Sequence, residues 1–295
     1  MLVSVIIPLF NSSIFIKQTL NSVLKQTFKN IEIILIDDFS TDNTLKIVKQ
    51  YTNTNIELHN NKYSKGIVGA MNTAFEITKG DFVALLDHDD IAVSTRIEEQ
   101  IKFLTNNKSI GVCGTWMQEF EKRNKIWKYY TNHNEIQACI LFHSPIANPT
   151  AMFRTELIHK YHLKYDDNYE YAQDNQFWAK MSLITKFSNI PKILTFYRKH
   201  LKNASKIYKV SQFESWKKTL SWYIKPWLNE ILNKYPDFFK ILYSVKYTEF
   251  REIYLESQKF YIEFFKNIIS INNRIPIFDS CGLKTVIEDK IFSIK

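Results

Sequence analysis

Hydrophobic and polar residues follow two alternating patterns along the first 110 residues of the chain. Nearly continuous runs of apolar, largely β-branched residues are typical of strands that are buried on both faces. Four such runs are predicted to be strands: 3–10, 31–38, 55–60 and 81–87. The three segments between them have apolar residues at helical spacing: 14–28, 40–51 and 66–78. This alternation of strand and helix predicts βαβ units and a parallel sheet.

Residues that favour helix ends lie at two of these boundaries. Ser40 or Thr41 is expected to cap the second helix, because a hydroxyl oxygen there accepts a hydrogen bond from a free backbone N–H. Gly80 is expected to end the third helix before the fourth strand begins.

Beyond residue 110 the pattern is less regular. Five further segments are predicted: a strand at 110–120, a helix at 134–142, a strand leading into a helix at 149–158, a helix at 175–185 and a strand around Pro191 at 186–200. From about residue 206, large apolar residues recur at helical spacing: Trp216, Leu220, Tyr223, Trp227, Tyr247, Phe250, Tyr254, Phe260 and Phe264. The change of pattern divides the chain into an α/β part, 1–205, and a helical C-terminal extension, 206–295.

Acidic residues follow two of the predicted strands. Asp37 and Asp38 come after the second strand, and Asp87, Asp89 and Asp90 come after the fourth. Ligands of parallel α/β sheets bind beyond the carboxyl ends of the strands, so both groups are expected to face one crevice. Crowded carboxylates raise one another's pKa, and a divalent ion such as Mg²⁺ or Mn²⁺ relieves that repulsion. The alternative is a solvated acidic turn in which Asp90 or Ser94 caps the next helix.

Composition narrows the class of protein. The 295 residues carry a net charge of +9, which favours an anionic partner such as a nucleic acid, a membrane surface or a nucleotide-activated substrate. The three cysteines form no CxxC pair, so reduced thiols in a cytoplasmic protein are expected. The apolar N-terminus is too short to span a bilayer.

No phosphate-binding glycine loop, zinc-ligand spacing or GxSxG sequence is present, which argues against kinases, dinucleotide oxidoreductases and serine hydrolases.

Seven segments taken in order resemble the family 2 glycosyltransferases: PLFNSS, IDDFSTDNT, SKGIVGAMNTAF, GDFVALLDHDD, NPT, AQDNQFW and YRKHLKNAS. The resemblance covers residues 3 to about 205. It implies the GT-A fold, an α/β Rossmann-like and mainly parallel sheet flanked by helices, with a nucleotide-sugar half at about 1–110 and an acceptor half at about 111–205. It also implies the transfer of a sugar from a nucleotide-diphosphate donor to an acceptor hydroxyl, with inversion at the anomeric carbon.

The resemblance also assigns roles to individual residues. Those expected to bind the nucleotide-sugar are Pro8, Phe10, Asn11, Asp38, Lys65, Asn72, Asp87, His88 and Arg198. Phe10 is expected to stack on the base, Asp38 to hydrogen-bond to it, Asp87 to meet the ribose or the sugar, and Arg198 to pair with a phosphate. The expected ligands of Mn²⁺ or Mg²⁺ are Asp89, Asp90 and His200.

Asp174 is the residue expected to carry the chemistry. An inverting transfer needs a base that takes the proton of the acceptor hydroxyl, and the resemblance places that base here. The family usually has two acids in this segment, whereas this chain has Gln173 before Asp174. The alternative is that Asp174 caps the following helix.

The leading hypothesis is a glycosyltransferase that uses a UDP-sugar to build a bacterial surface glycan such as capsule or lipooligosaccharide. The same fold with a GDP- or dTDP-sugar is one alternative, and a noncatalytic partner that binds glycan or nucleotide-sugar is another. A nucleic-acid binder is disfavoured. The expected acceptor is an oligosaccharide or a glycolipid. Two roles are expected for the aromatic and basic helices of the extension. They pack on the catalytic domain or on a second subunit of a homodimer, or they contact the inner face of the cytoplasmic membrane.

Overall fold

The computed structural model describes residues 1–51, 55–122, 124–169, 171–200, 203, 207–246 and 258–293. Within these residues, nine strands form one sheet in the order β3-β2-β1-β4-β8-β6-β9-β5, and β7 pairs with β6 at the side. The strands are β1 (Val3–Leu9), β2 (Ile31–Asp37), β3 (Ile56–Asn60), β4 (Phe82–Leu85), β5 (Ile91–Ala92), β6 (Ile110–Phe120), β7 (Ile126–Trp127), β8 (Met152–Arg154) and β9 (Lys186–Arg198).

The four predicted N-terminal strands are confirmed and are mutually parallel, with β1 lying between β2 and β4. Their continuous apolar sequences are explained by burial on both faces of the sheet. Ile6 and Ile34 enter one hydrophobic cluster, whereas Val5 and Ile33, their neighbours in the chain, enter another cluster on the opposite face.

In the described residues before the extension, seven α-helices accompany the sheet: α1 (Ile16–Leu24), α2 (Thr44–Val48), α3 (Ile67–Ile77), α4 (Arg96–Asn106), α5 (His133–Ala138), α6 (Glu156–Tyr161) and α7 (Gln173–Ser182). The predicted second helix is shorter than expected, and its N-cap is Asn43 rather than Ser40 or Thr41. Ser40 and Thr41 instead bond to Asn11 in the loop after β1, which keeps them out of the helix. Thr95, rather than Asp90 or Ser94, holds the N-cap position of α4, without a side-chain hydrogen bond to the helix. Helix α7 begins at Gln173, with Asp174 in its first turn.

The sheet is mixed beyond β4. Strand β8 runs antiparallel to both β4 and β6, while β6 and β9 are parallel. The pairing of β6 with β9 shifts register between Ile190 and Ile193, at the position of Pro191. Proline has no backbone N–H to donate, so it is accommodated at an irregularity of this kind. The sheet is therefore mainly parallel, as predicted, with short antiparallel pairings where β5, β7 and β8 join it.

The described part of the C-terminal extension contains five helices: α8 (Lys209–Tyr223), α9 (Leu228–Lys234), α10 (Phe238–Lys246), α11 (Gln258–Arg274) and α12 (Ser280–Ser293). Trp216, Leu220, Tyr223, Trp227 and Phe264 are buried there, and Phe260 is partly buried. Tyr247, Phe250 and Tyr254, and the expected boundary at 205–206, lie outside the described residues.

The extension shares a hydrophobic core with the catalytic part of the chain. The side chains of Ala138, Leu141 and Phe142 lie in the same cluster as Trp227 and Phe264. The aromatic residues of the pattern that lie within the described part of the chain therefore pack inside the protein. Within the described residues, no helix combines the length and the apolar composition that crossing a membrane would require.

Candidate active site

Three carboxylates converge in the turn that follows β4. Oxygen atoms of Asp87, Asp89 and Asp90 lie within 4.8 Å of one another. Asp90 is fully buried and Asp89 nearly so. Among the residues that the structure describes, Oδ2 of Asp90 is buried without a hydrogen-bond partner. Burying an unpaired carboxylate oxygen is costly, and a cation bonded to this oxygen would offset that cost.

The electrostatics of the turn support the same conclusion. Burial is the main cause that raises the pKa of Asp87 to about 7, and the negative charges of Asp89 and Asp174 add to the effect. The positive charge of Arg96 lowers this pKa in part. Burial and the two neighbouring aspartates also raise the pKa of Asp90 well above its usual range. Repulsion between the carboxylates therefore opposes their ionisation until positive charge is added.

The donor set fits a hard divalent ion. Carboxylate oxygens are the ligands that Mg²⁺ and Mn²⁺ prefer, and the three carboxyl groups of the turn offer several of them. Asp89 and Asp90, two of the expected metal ligands, belong to this group. The third, His200, contacts it, because its Nε2 lies 2.7 Å from Oδ2 of Asp89.

Arg198 holds the acidic turn from the end of β9. Its backbone N–H donates to Oδ1 of Asp90 at 2.8 Å, and its Nε donates to the backbone oxygen of Asp89 at 2.7 Å. The guanidinium also bonds to Glu121 and Gln18. The rings of Phe15 and Phe120 lie 4.6 and 4.5 Å from its central carbon. These contacts bury the guanidinium, so its donors are directed at protein atoms, whereas the sequence suggested a phosphate.

Asp174 reaches the same site from the first turn of α7. Its charge raises the pKa of Asp87 and, after burial, that of Tyr165. Tyr165 is buried and stacks on Phe177 with ring centroids 4.6 Å apart. Its hydroxyl donates to Oδ1 of Asn148 at 3.1 Å. Asp174 and Asp87, which are 87 residues apart in the sequence, therefore lie within electrostatic range of each other.

Asp38 lies at the carboxyl end of β2, at the same edge of the sheet. Its buried carboxylate accepts hydrogen bonds from Nδ2 of Asn61 at 2.7 Å and from the backbone N–H of Gly66 at 2.9 Å. Gly66 has a φ of 135°, a conformation that favours glycine, and it precedes α3 directly. Asp38 thereby connects the strand to the start of that helix.

Phe10 and Lys65 lie at the same edge. The Phe10 ring is 41% exposed, and Nζ of Lys65 lies 4.4 Å from its centroid. An ammonium over an aromatic face is held only weakly at an exposed position. This pair therefore presents a flat apolar surface next to a mobile positive charge, a combination suited to a base and a phosphate.

Pro8 and His88 connect β1 to the acidic turn. The buried imidazole of His88 lies beside the backbone of Pro8, and burial lowers the pKa of His88. The backbone oxygen of His88 accepts a hydrogen bond from the Thr19 hydroxyl at 2.8 Å. These contacts fix the orientation of the turn relative to β1.

Asn72 is placed differently from the other expected nucleotide-binding residues. Its side chain donates to the backbone oxygen of Tyr165 and accepts from the backbone N–H of the same residue, at 3.0 and 2.9 Å. Both polar atoms of the amide are thereby used to hold the segment that precedes α7. We assign Asn72 a role in positioning that segment.

Two residues of the site were not singled out by the sequence. Tyr165 could have been suggested only by its position shortly before Asp174. Arg96 is buried, and it donates to the backbone oxygen of Leu85 at the end of β4 and to that of Ala151 beside β8. Its charge acts on both Asp87 and Asp90. An arginine on an amphipathic helix gives no sequence signal that it will be buried beneath acids.

Comparisons with known proteins support this description. A family model described as glycosyl transferase family 2 matches residues 4–168. An uncharacterized glycosyltransferase of Haemophilus influenzae is 33% identical over 243 residues, which cover 78% of this chain and 75% of that protein. WfaP of Escherichia coli, a UDP-Glc:alpha-D-GlcNAc-diphosphoundecaprenol beta-1,3-glucosyltransferase, is 34% identical over 206 residues, which cover 69% of this chain and 80% of that protein.

A solved structure shows the same fold. Residues 1–349 of S. aureus TarS, in complex with UDP-GlcNAc, match with a TM-score of 0.65 and 26% identity. The match covers 79% of this chain and 67% of that one. The fold and the family resemblance that the sequence predicted are thereby confirmed.

Proposed function

Because the chain belongs to glycosyl transferase family 2, we propose that it is an inverting, metal-dependent glycosyltransferase that uses a UDP-sugar. The proposed acceptor is a hydroxyl group of a lipid-linked glycan in the synthesis of a bacterial surface polysaccharide. The observation that carries this proposal is the cluster of Asp87, Asp89 and Asp90 after β4, which the charge of Asp174 reaches by raising the pKa of Asp87.

The identity of the donor nucleotide is proposed from the residues at the carboxyl ends of β1 and β2 and from two similar proteins. Asp38 offers a fixed carboxylate that can accept an N–H of a base, and Phe10 offers an exposed ring for stacking. TarS has been crystallised with UDP-GlcNAc, and the name of WfaP specifies UDP-Glc. These observations favour UDP over GDP or dTDP for this chain.

Asp89 and Asp90 would hold the divalent ion, with His200 beside them. When bound, the ion would supply charge neutralisation to the diphosphate as it leaves. Arg198 and Arg96 fix the protein atoms around it, because they bond to the backbone of the turn and of the strand that precedes it.

Asp174 is the proposed base. Its carboxylate accepts the proton of the acceptor hydroxyl while the oxygen forms a bond to the anomeric carbon. The bond from that carbon to the diphosphate oxygen breaks, and UDP leaves with the electron pair. Attack from the face opposite the leaving group inverts the anomeric configuration. Asp87, within electrostatic range of Asp174, is the residue proposed to bind the hydroxyl groups of the donor sugar or the ribose.

The acceptor is proposed from WfaP, whose printed name specifies a diphosphoundecaprenol-linked sugar. An acceptor of this kind is anchored in a bilayer, so we propose that the chain works in the cytoplasm at the inner face of the cytoplasmic membrane. The net charge of +9 favours contact with anionic lipids. Flotation with anionic vesicles at low and at high salt tests this, and a protein that does not float at either salt concentration contradicts it.

A donor panel tests the proposal as a whole. Purified protein with Mn²⁺ is mixed with UDP-glucose, UDP-galactose, their two N-acetylhexosamine counterparts, a GDP-sugar and a dTDP-sugar. The released nucleoside diphosphate is measured with and without a lipid-linked acceptor. Release from one UDP-sugar that rises with the acceptor supports the proposal. Release only from GDP- or dTDP-sugars indicates the alternative donors. Donor binding without turnover indicates a noncatalytic nucleotide-sugar-binding protein.

A further inference from the structure

Phe39, which follows Asp38 at the carboxyl end of β2, combines two unfavourable features. Its φ is 60°, in the left-handed region that bulky residues rarely adopt, and its side chain is 50% exposed. Glycine or asparagine would satisfy the backbone at less cost, and a polar side chain would be better solvated. Neither local backbone preference nor core packing explains a phenylalanine here.

The loop that holds Phe39 is rigidly connected to its neighbour. Asn11, which also has a positive φ of 46°, donates from its backbone N–H to the Ser40 hydroxyl at 3.1 Å. The side-chain oxygen of Asn11 accepts from the backbone N–H of Thr41 at 2.8 Å. Two further bonds join the same loops: Ser12 N–H to the Thr44 hydroxyl and Ser13 N–H to the Asp42 carboxylate. A strained residue persists where the surroundings determine its conformation in this way, and such residues concentrate at functional sites.

The position of Phe39 points to its ligand. Leu9 pairs with Asp37 in the parallel ladder, so the residues that follow, Phe10 and Asp38, leave the sheet side by side. Phe39 therefore lies at the strand ends where the ring of Phe10 is exposed and the carboxylate of Asp38 is buried. Two exposed aromatic residues next to a buried acceptor of hydrogen bonds are suited to a flat heteroaromatic ring that carries an N–H.

We propose that Phe39 is a specificity-determining residue that contacts the base of the donor nucleotide. This inference rests on the proposed function, because it assumes that a nucleotide binds at the ends of β1 and β2. The contact explains why an exposed phenylalanine occupies a strained backbone position: the ring that solvent disfavours in the free protein is covered by the base in the complex.

Substitutions at position 39 separate the ring from the backbone. Phe39→Ala removes the ring and keeps the strain, Phe39→Gly removes both, and Phe39→Tyr keeps both. If the ring binds the base, affinity for UDP, measured by calorimetry with Mn²⁺ present, falls about tenfold in the Ala and Gly variants and is retained in the Tyr variant. Thermal stability follows a different order, with the Gly variant melting about 2 °C above the Ala variant.

Two controls make the result specific. Inorganic pyrophosphate with Mn²⁺ lacks a base, so its affinity stays the same in every position-39 variant. Phe292→Ala removes an exposed ring from the C-terminal helix α12 and leaves UDP affinity unchanged. A loss of UDP affinity that followed thermal stability, or that extended equally to pyrophosphate, would show a structural role and overturn the inference.

Equal UDP affinity in the wild-type protein and Phe39→Ala overturns the inference and leaves the proposed function intact. Failure of the wild-type protein to bind UDP, GDP or dTDP contradicts the proposed function itself, and the inference with it. The two failures are therefore distinguished by the wild-type titration alone.

Discussion

The imidazole Nε2 of His200 lies 2.7 Å from Oδ2 of Asp89, although the two residues are separated by 111 positions in the sequence. The His200 ring also stacks on Phe15, with centroids 5.0 Å apart. Together with Arg198, which bonds to Asp89 and Asp90, this contact fastens the end of β9 to the acidic turn. The geometry of the proposed metal site therefore depends on a segment far along the chain.

Substitution of Arg198 is expected to affect both stability and metal binding. Arg198→Gln removes charge-assisted hydrogen bonds of a buried guanidinium, so the free energy of unfolding in urea should fall by about 3 kcal/mol. Because the turn then loses its support, Mn²⁺ affinity should also fall, while Arg198→Lys should recover part of it.

Arg274→Gln is the matched control for that experiment. Arg274 forms an ion pair with Glu230 at the protein surface, and exposed pairs contribute little. The change in unfolding free energy should stay within about 0.5 kcal/mol. Equal effects of the two substitutions would contradict the role assigned to Arg198.

Asp174→Asn is expected to separate catalysis from binding. The amide cannot accept the acceptor proton, so the rate of sugar transfer should fall by about 100-fold or more. Calorimetric titration with UDP should give an affinity close to that of the wild-type protein. Asp167→Asn, at an exposed position in the segment before α7, should retain full activity. Transfer at the wild-type rate by Asp174→Asn would rule out Asp174 as the base.

Metal removal is expected to stop turnover reversibly. Treatment with EDTA should abolish UDP release from the donor, and added Mn²⁺ should restore it, because the buried carboxylates of Asp89 and Asp90 need a counter-charge. Asp89→Asn should weaken the Mn²⁺ binding that is measured by electron paramagnetic resonance. A chelated protein that kept its full rate would contradict metal dependence.

The C-terminal extension is expected to contribute directly to stability. Trp227 is fully buried and donates from its indole N–H to the backbone oxygen of Ile275 at 2.7 Å. Trp227→Ala should therefore lower the free energy of unfolding by about 4 kcal/mol. Trp222→Ala, which changes a tryptophan that is 42% exposed, should cost much less. Similar losses for both variants in urea denaturation would contradict the packing described for the extension.

Patterns that depend on nearby residues were predictable from the sequence. Nearly continuous apolar runs located β1 and β2 to within one residue, because burial on both faces favours apolar residues at most positions. Helix α2 was predicted too long, because the side chains around Ser40 bond to another loop, and a single segment does not reveal such bonds. The mixed pairing of β8 was likewise invisible, since three residues carry little periodicity.

Long-range contacts account for what the sequence did not show at the site. The sequence motifs were sufficient to identify Asp87, Asp89 and Asp174 as candidate site residues. The burial of Arg198 was not predictable, because it depends on Phe15 and Phe120, which lie far from it in the chain. The strained backbone at Phe39 likewise depends on hydrogen bonds between two loops. Neither feature follows from the identity of the residue alone.

The central claim is that separate acidic segments converge on one metal-bound nucleotide, and a crystal structure with Mn²⁺ and UDP tests it most directly. We predict anomalous scattering from one Mn²⁺ bonded to oxygen of Asp89, with the uracil beside Phe10 and Asp38 and with Asp174 facing the free side of the diphosphate. Density for UDP elsewhere on the protein, or Mn²⁺ bound without contact to the acidic turn, would contradict the claim.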